Sequence, residues 1–130
     1  MILEFNGFSL DKIQPKDSWK LCNFVVANED RLKRYFPQTL ESNLTPTLAE
    51  FFTTKKVTQF ANREEFLFIL KHIESRDIAG VFYIKELDWN KKQGEYAYSI
   101  GYPFEGQGIT TKAISVLSVS YTHLTLPTKA

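Results

Sequence analysis

Apolar positions change their spacing along these 130 residues, and the changes divide the chain into elements. ILEFNGFSLDKIQ (2–14) mixes apolar and polar residues around Asn6-Gly7, and so predicts an opening strand or hairpin. Pro15 and Asp17 then open a helix: proline has no N–H to lose in the first turn, and a carboxylate suits the positive helix end. Leu21, Val25, Leu32 and Phe36 recur at multiples of about 3.6 residues, an apolar face that ends at Pro37. A second helix starts at Thr45-Pro46 and is expected to bury Leu48, Phe51, Phe52 and Phe60.

From residue 64 the pattern becomes extended. EEFLFILKHI (64–73) sets Phe66, Phe68 and Leu70 on one face and Leu67, Ile69 and Ile73 on the other. A strand apolar on both faces is covered on both sides. ESRD (74–77) is a polar turn, IAGVFYIKEL (78–87) a second such strand, DWNKKQG (88–94) a loop and EYAYSIGY (95–102) a third strand. A turn with two close glycines follows. Then Ile109, Ala113, Val116 and Leu117 fall at helical spacing over 109–117. Strand, two helices, three antiparallel strands, turn and helix predict an α+β (mixed α/β) fold, a sheet with helices packed on it. The length suits one domain.

Composition narrows the function. A net charge of +1 argues against an electrostatic nucleic-acid or membrane surface. No apolar run is long enough to span a bilayer, and the start of the chain lacks a signal-peptide pattern. A single cysteine, Cys22, fits a reducing cytoplasm and reads as buried packing. One Cys with two His (His72, His123) gives too few soft ligands for a structural zinc, so no metal is expected.

GYPFEGQGITTKA (101–113) carries the chemistry. Closely spaced glycines between a strand and a helix expose backbone N–H groups at the helix's positive end, and allow a phosphate close to the backbone. The stretch lacks the Gly-Lys-Ser/Thr of a Walker loop and the third glycine of a dinucleotide fingerprint. EYAYSIGYPFEGQGITTKAISVLS is similar to the acetyl-CoA-binding segment of the GCN5-related N-acetyltransferase (GNAT) family, in its ribosomal-protein and small-amine branch. Glu95, Tyr98 and Ile100 match the family's fourth-strand pattern, and Gly106, Gln107 and Gly108 the glycine half of its pyrophosphate loop. The family's Gln or Arg falls on Pro103, and a common Glu falls on Lys112.

The resemblance implies the acyl-CoA N-acyltransferase fold, of which this chain carries the N-terminal two thirds. It also implies acetyl-CoA as co-substrate and a primary amine as acceptor, either a peptide N-terminus or a small molecule. A backbone N–H at Ile100 or Gly101 would stabilise the oxyanion. The N–H groups of Gly106, Gln107, Gly108, Ile109 and Thr110 would bind the pyrophosphate. Glu95 is the candidate base, or else a solvated strand end. Tyr98 is pocket wall or core, His72 a core or edge histidine, and Trp89 a substrate contact or an exposed loop residue. RLKR (31–34) reads as a solvated helix face. A non-catalytic CoA-binding or ligand-sensing domain of the same fold is the alternative.

The last residues break the pattern. VSYTHLTLPT (119–128) resembles the translation of a common transposase-type sequencing adapter, and Ser118 and Lys129 fit its flanking bases. The expectation is a partial acetyltransferase domain over 1–117, followed by a non-native tail over 118–130. Such a chain would be an inactive fragment.

Overall fold

The computed structural model describes residues 2–106, 108–120 and 128–129. Its opening hairpin is β1 (Ile2–Phe5) and β2 (Phe8–Lys12), turned at Asn6 and Gly7, both with positive φ. A 3-10 turn over Pro15–Asp17 leads into α1 (Ser18–Ala27). Buried Asp17 accepts the Gln14 N–H at 2.8 Å and pairs with Lys71 at 2.6 Å, which secures the turn to the sheet.

The single helix expected up to Pro37 is two pieces, α1 and α2 (Glu29–Tyr35), and a further short helix, α3 (Pro37–Glu41), follows them. Asn28 ends the first piece. Its N–H and its side-chain Nδ2 both donate to the Phe24 carbonyl, at 3.1 and 2.9 Å, and so close the helix end. Pro37 starts a helix instead of only ending one, since a proline fits the first turn.

α4 (Pro46–Ala61) has the expected cap: Thr45 Oγ1 accepts the Leu48 N–H at 3.2 Å. Its buried face differs from the expectation. Ala49, Phe52 and Thr53 are buried and Phe60 partly so, whereas Phe51 is 72% and Leu48 43% exposed. Four apolar residues span more of the helix circumference than the sheet covers.

β3 (Phe66–His72), β4 (Ile78–Asp88) and β5 (Gln93–Ile100) follow as expected, then a 3-10 turn over Tyr102–Phe104 and α5 (Ile109–Ser120). The described sheet runs β1-β2-β3-β4-β5-β6, antiparallel except that the two-residue β6 (Thr128–Lys129) pairs parallel with β5 at Tyr96 and Ala97. Side chains alternate between two cores. Phe66, Phe68, Phe82, Ile84, Tyr96 and Ile100 meet Ile109, Ala113 and Leu117 of α5 on one face. Leu67, Ile69, Val81, Tyr83 and Ala97 meet Leu21, Val25, Leu32, Leu40 and Phe52 of α1–α4 on the other. Ile73 lies just past β3 and is exposed. Two helical layers thus enclose the sheet and leave the C-terminal end of β5 between them.

Candidate active site

A cavity of about 540 Å³ opens at that end of β5, between α2 and the start of α5. Arg31, Tyr35 and Phe36 line one wall, Tyr98, Ser99 and Ile100 the floor, and Phe104, Glu105, Gly106, Gly108, Ile109 and Thr110 the mouth. Hydrogen-bond alternation decides which backbone groups face it. The Gly101 N–H donates to the Ala79 carbonyl at 2.7 Å, and Gly80 stands opposite Ile100. In an antiparallel ladder, bonded and non-bonded pairs alternate, so the N–H and C=O of Ile100 point away from β4, toward the open edge. Arg31 Nη1 reaches the Ile100 carbonyl from that side at 2.6 Å. Of the two N–H groups that the sequence leaves open, Ile100's faces the cavity and Gly101's is engaged within the sheet.

Glycine shapes the mouth. Gly106 and Gly108 have φ of +73° and +68°, a region that costs a residue with a Cβ about 1–2 kcal/mol. A Cβ at either would meet nothing within 4 Å, so conformation and not crowding favours glycine here. The Lys112 N–H bonds the Gly108 carbonyl at 3.4 Å, the first bond of α5. The N–H groups of Ile109 and Thr110 therefore precede any intrahelical acceptor and stand at the positive helix end. Ile109 is buried against the α5-side core and Thr110 lines the cavity. Gln107 lies outside the described residues. An open cradle of backbone donors beside an apolar cleft fits the pyrophosphate and pantetheine arm of coenzyme A.

Glu95 is not at this site. It precedes Ile100 by five residues, about 17 Å of strand. It faces Lys85 across the β4–β5 pair and does not line the cavity. Tyr98 lines the cavity and stacks on Phe82 at 5.8 Å. His72 is the last residue of β3, an interior strand, with Nδ1 2.9 Å from Ser75 Oγ and its ring against Phe8 and Phe104. Trp89 fastens the start of β3, donating to the Arg63 carbonyl at 2.8 Å beneath the Arg63 guanidinium. Cys22 is buried in α1. No group of three or more potential metal ligands occurs among the described residues, and no helix there is long and apolar enough to cross a membrane.

Sequence reasoning missed Arg31. Within RLKR, Lys33 and Arg34 are exposed as expected, but Arg31 turns inward. Besides the Ile100 carbonyl it pairs with Glu105 and lies 4.4 Å from the centre of the Tyr102 ring. Three residues before Arg31, just ahead of α2, Asn28 Oδ1 accepts the Tyr102 N–H at 3.0 Å. Two residues at the α1–α2 junction thus clamp the turn that carries the glycine loop. The hydrophobic pattern marks which residues face a core, but not which cation folds back over a turn some seventy residues away.

The fold is shared with solved acetyltransferases. A ribosomal-protein-S5-alanine acetyltransferase from Vibrio fischeri superposes with a TM-score of 0.83 at 19% identity, over 94% of this chain and 67% of that one. A ribosomal L7/L12 alpha-N-protein acetyltransferase in complex with coenzyme A gives 0.83 at 15% identity, over 93% and 67%. A microcin C7 self-immunity acetyltransferase in complex with acetyl-CoA and AMP gives 0.77 at 21%, over 90% and 63%. The chain thus spans about two thirds of the length of these structures. No curated protein matches it in sequence. The family model for the acetyltransferase (GNAT) domain matches residues 8–128, nearly the whole chain. With its glycine loop, open strand edge and sheet order in place, the chain belongs to the GNAT family of acetyl-CoA-dependent N-acetyltransferases.

Proposed function

We propose that this domain binds acetyl-CoA in the β5–α5 cavity and transfers its acetyl group to the primary amine of a peptide N-terminus. The observation that carries the reading is the convergence of the Ile100 N–H and the glycine-loop donors on one cleft. Acetyl-CoA supplies the activated acetyl thioester. The donors at Gly106, Gly108, Ile109 and Thr110 hold its pyrophosphate. Tyr98 and Ile100 wall the pantetheine arm. The Ile100 N–H donates to the carbonyl oxygen as that atom gains negative charge, so it binds the transition state more strongly than the ground state. Arg31 keeps this turn in place from α2. The acceptor amine must arrive neutral, and Glu95 stands too far away to take its proton directly.

A second groove, of about 480 Å³, supports a peptide acceptor over a small amine. It shares Tyr35 and Phe36 with the first, and extends past exposed Leu48 and Phe51 to Tyr83 and Lys85. Such a trough has room for residues that follow a terminal amine. The neighbours named above as ribosomal-protein acetyltransferases act on acceptors of this kind.

We also propose that residues 1–117 are the native part of this chain and that 118–130 are translated adapter. Turnover by the 130-residue chain is then slight. Isothermal titration with CoA tests the main reading, and thiol release with an alanine-initiated peptide tests the rest. CoA binding with little turnover is the expected result. Absence of CoA binding refutes the acetyltransferase reading. Brisk turnover refutes only the partial-domain reading, as would DNA around codon 118 that differs from the adapter at several bases.

A further inference from the structure

Ser99 is buried, 5% exposed, yet its hydroxyl has no hydrogen-bond partner among the described residues. Its backbone offers none nearby, because Ser99 and Val81 form a bonded pair of the β4–β5 ladder and satisfy each other. An unpaired buried hydroxyl is destabilising, and native structures retain few of them. Ser99 lines the β5 cavity beside Arg31, Tyr35 and Phe36. By strand alternation it lies on the α1–α4 side of the sheet, with Ala97, while Ile100 points to the α5 side. That is also the side on which the second groove meets the first, at Tyr35 and Phe36.

We propose that the Ser99 hydroxyl is a ligand of the acceptor amine. The inference rests on the acetyltransferase reading of the cavity and adds a residue to it. The amine enters from the Tyr35–Phe36 side and donates one N–H to Ser99 Oγ. That leaves its lone pair directed at the acetyl carbon, whose oxygen is held by the Ile100 N–H one residue along the strand. The new C–N bond then forms as the C–S bond breaks, its electron pair goes to sulfur, and the proton shed by nitrogen passes through solvent to the thiolate. The hydroxyl therefore lacks a protein partner because its partner is the substrate.

Ser99→Ala tests this with two readouts that a structural serine would move in opposite ways. Thermal and urea unfolding should show a variant as stable as wild type or more so, since an unsatisfied hydroxyl is removed. Titration of an alanine-initiated peptide into the chain saturated with CoA should show about a tenfold loss of affinity, the size expected for one lost hydrogen bond. CoA affinity should be unchanged. Ser99→Thr, which keeps the hydroxyl, should recover part of the peptide affinity. A clear loss of stability in Ser99→Ala would show that the hydroxyl is already satisfied, and overturns the proposal. Equal peptide binding by Ser99→Ala and wild type overturns it as well, as does a wild-type chain that binds CoA but no peptide. Failure of CoA itself to bind strikes the reading of the cavity instead, and the stability comparison still judges Ser99.

Discussion

A Cβ on Gly80 would stand 2.8 Å from Ile100 Cδ1 and 2.9 Å from the Ser99 carbonyl, whereas one on Gly106 or Gly108 would meet nothing within 4 Å. The first glycine lies inside the sheet, opposite the residue that presents its N–H to the cavity. The other two lie at the mouth, exposed and in left-handed backbone. Gly80 lets a strand end pack closely enough to fix a donor in place. Gly106 and Gly108 let a loop bend so that several donors converge with space in front of them. The same residue type therefore serves the fold in one region and ligand access in the other, and substitutions should separate the two.

The largest effect is expected at Gly80. Gly80→Ala forces the new methyl against backbone, which cannot swing aside as a side chain can, and should cost about 2 kcal/mol in urea unfolding. An unchanged midpoint would mean that the sheet edge yields easily, and the contrast with the loop glycines would collapse. Next comes Arg31→Met, which keeps the stem but removes the bond to Ile100 and the pair with Glu105. CoA affinity should fall about tenfold, as expected when a charge-assisted contact is lost, with the unfolding midpoint little changed. A matched loss of stability would assign Arg31 to the fold instead.

Gly106→Ala should do less. Its backbone strain is about 1 kcal/mol, and an exposed loop can relax around it. We expect about a fivefold weaker CoA titration and wild-type unfolding. The smallest effect is a pH trend. Burial raises the Tyr83 phenol well above its ordinary value of 10.0, although its hydrogen bond to Thr39 opposes this. Folded Tyr83 keeps its proton while the unfolded chain loses it, so stability is full below pH 10 and declines above it. Gly80→Ala should therefore unfold at a lower alkaline pH than wild type, while Gly106→Ala follows wild type. Circular dichroism across pH 8 to 11 checks both at once, and a Gly106→Ala profile displaced like that of Gly80→Ala would erase the distinction.

The central strands were legible because their apolar residues alternate over long runs, and the α4 cap because Thr-Pro is a strong local signal. The Asn28 break was not, since an asparagine side chain closes a helix end only in a particular conformation. Nor was the exposure of Phe51: an apolar side chain shows that burial is favourable, not that a partner surface is available. Within the site, the glycine loop stood out through its backbone requirements, which are written in residue type. Glu95 illustrates the converse. Family pattern set it on the right strand, but only distance along that strand excluded it from the cavity.

What the sequence determined by itself is the order of elements, the two-faced strands and the left-handed loop, all consequences of local sterics and apolar spacing. What the tertiary structure alone decided is where polar groups end up. Sheet register turned the Ile100 N–H outward and the Gly101 N–H inward. The packing of α2 carried Arg31 to the turn and left the Ser99 hydroxyl buried at the cavity floor. Hydrophobic burial acts on each residue through its own surface, whereas a hydrogen bond depends on two groups meeting at the right distance and angle, which chain order does not specify.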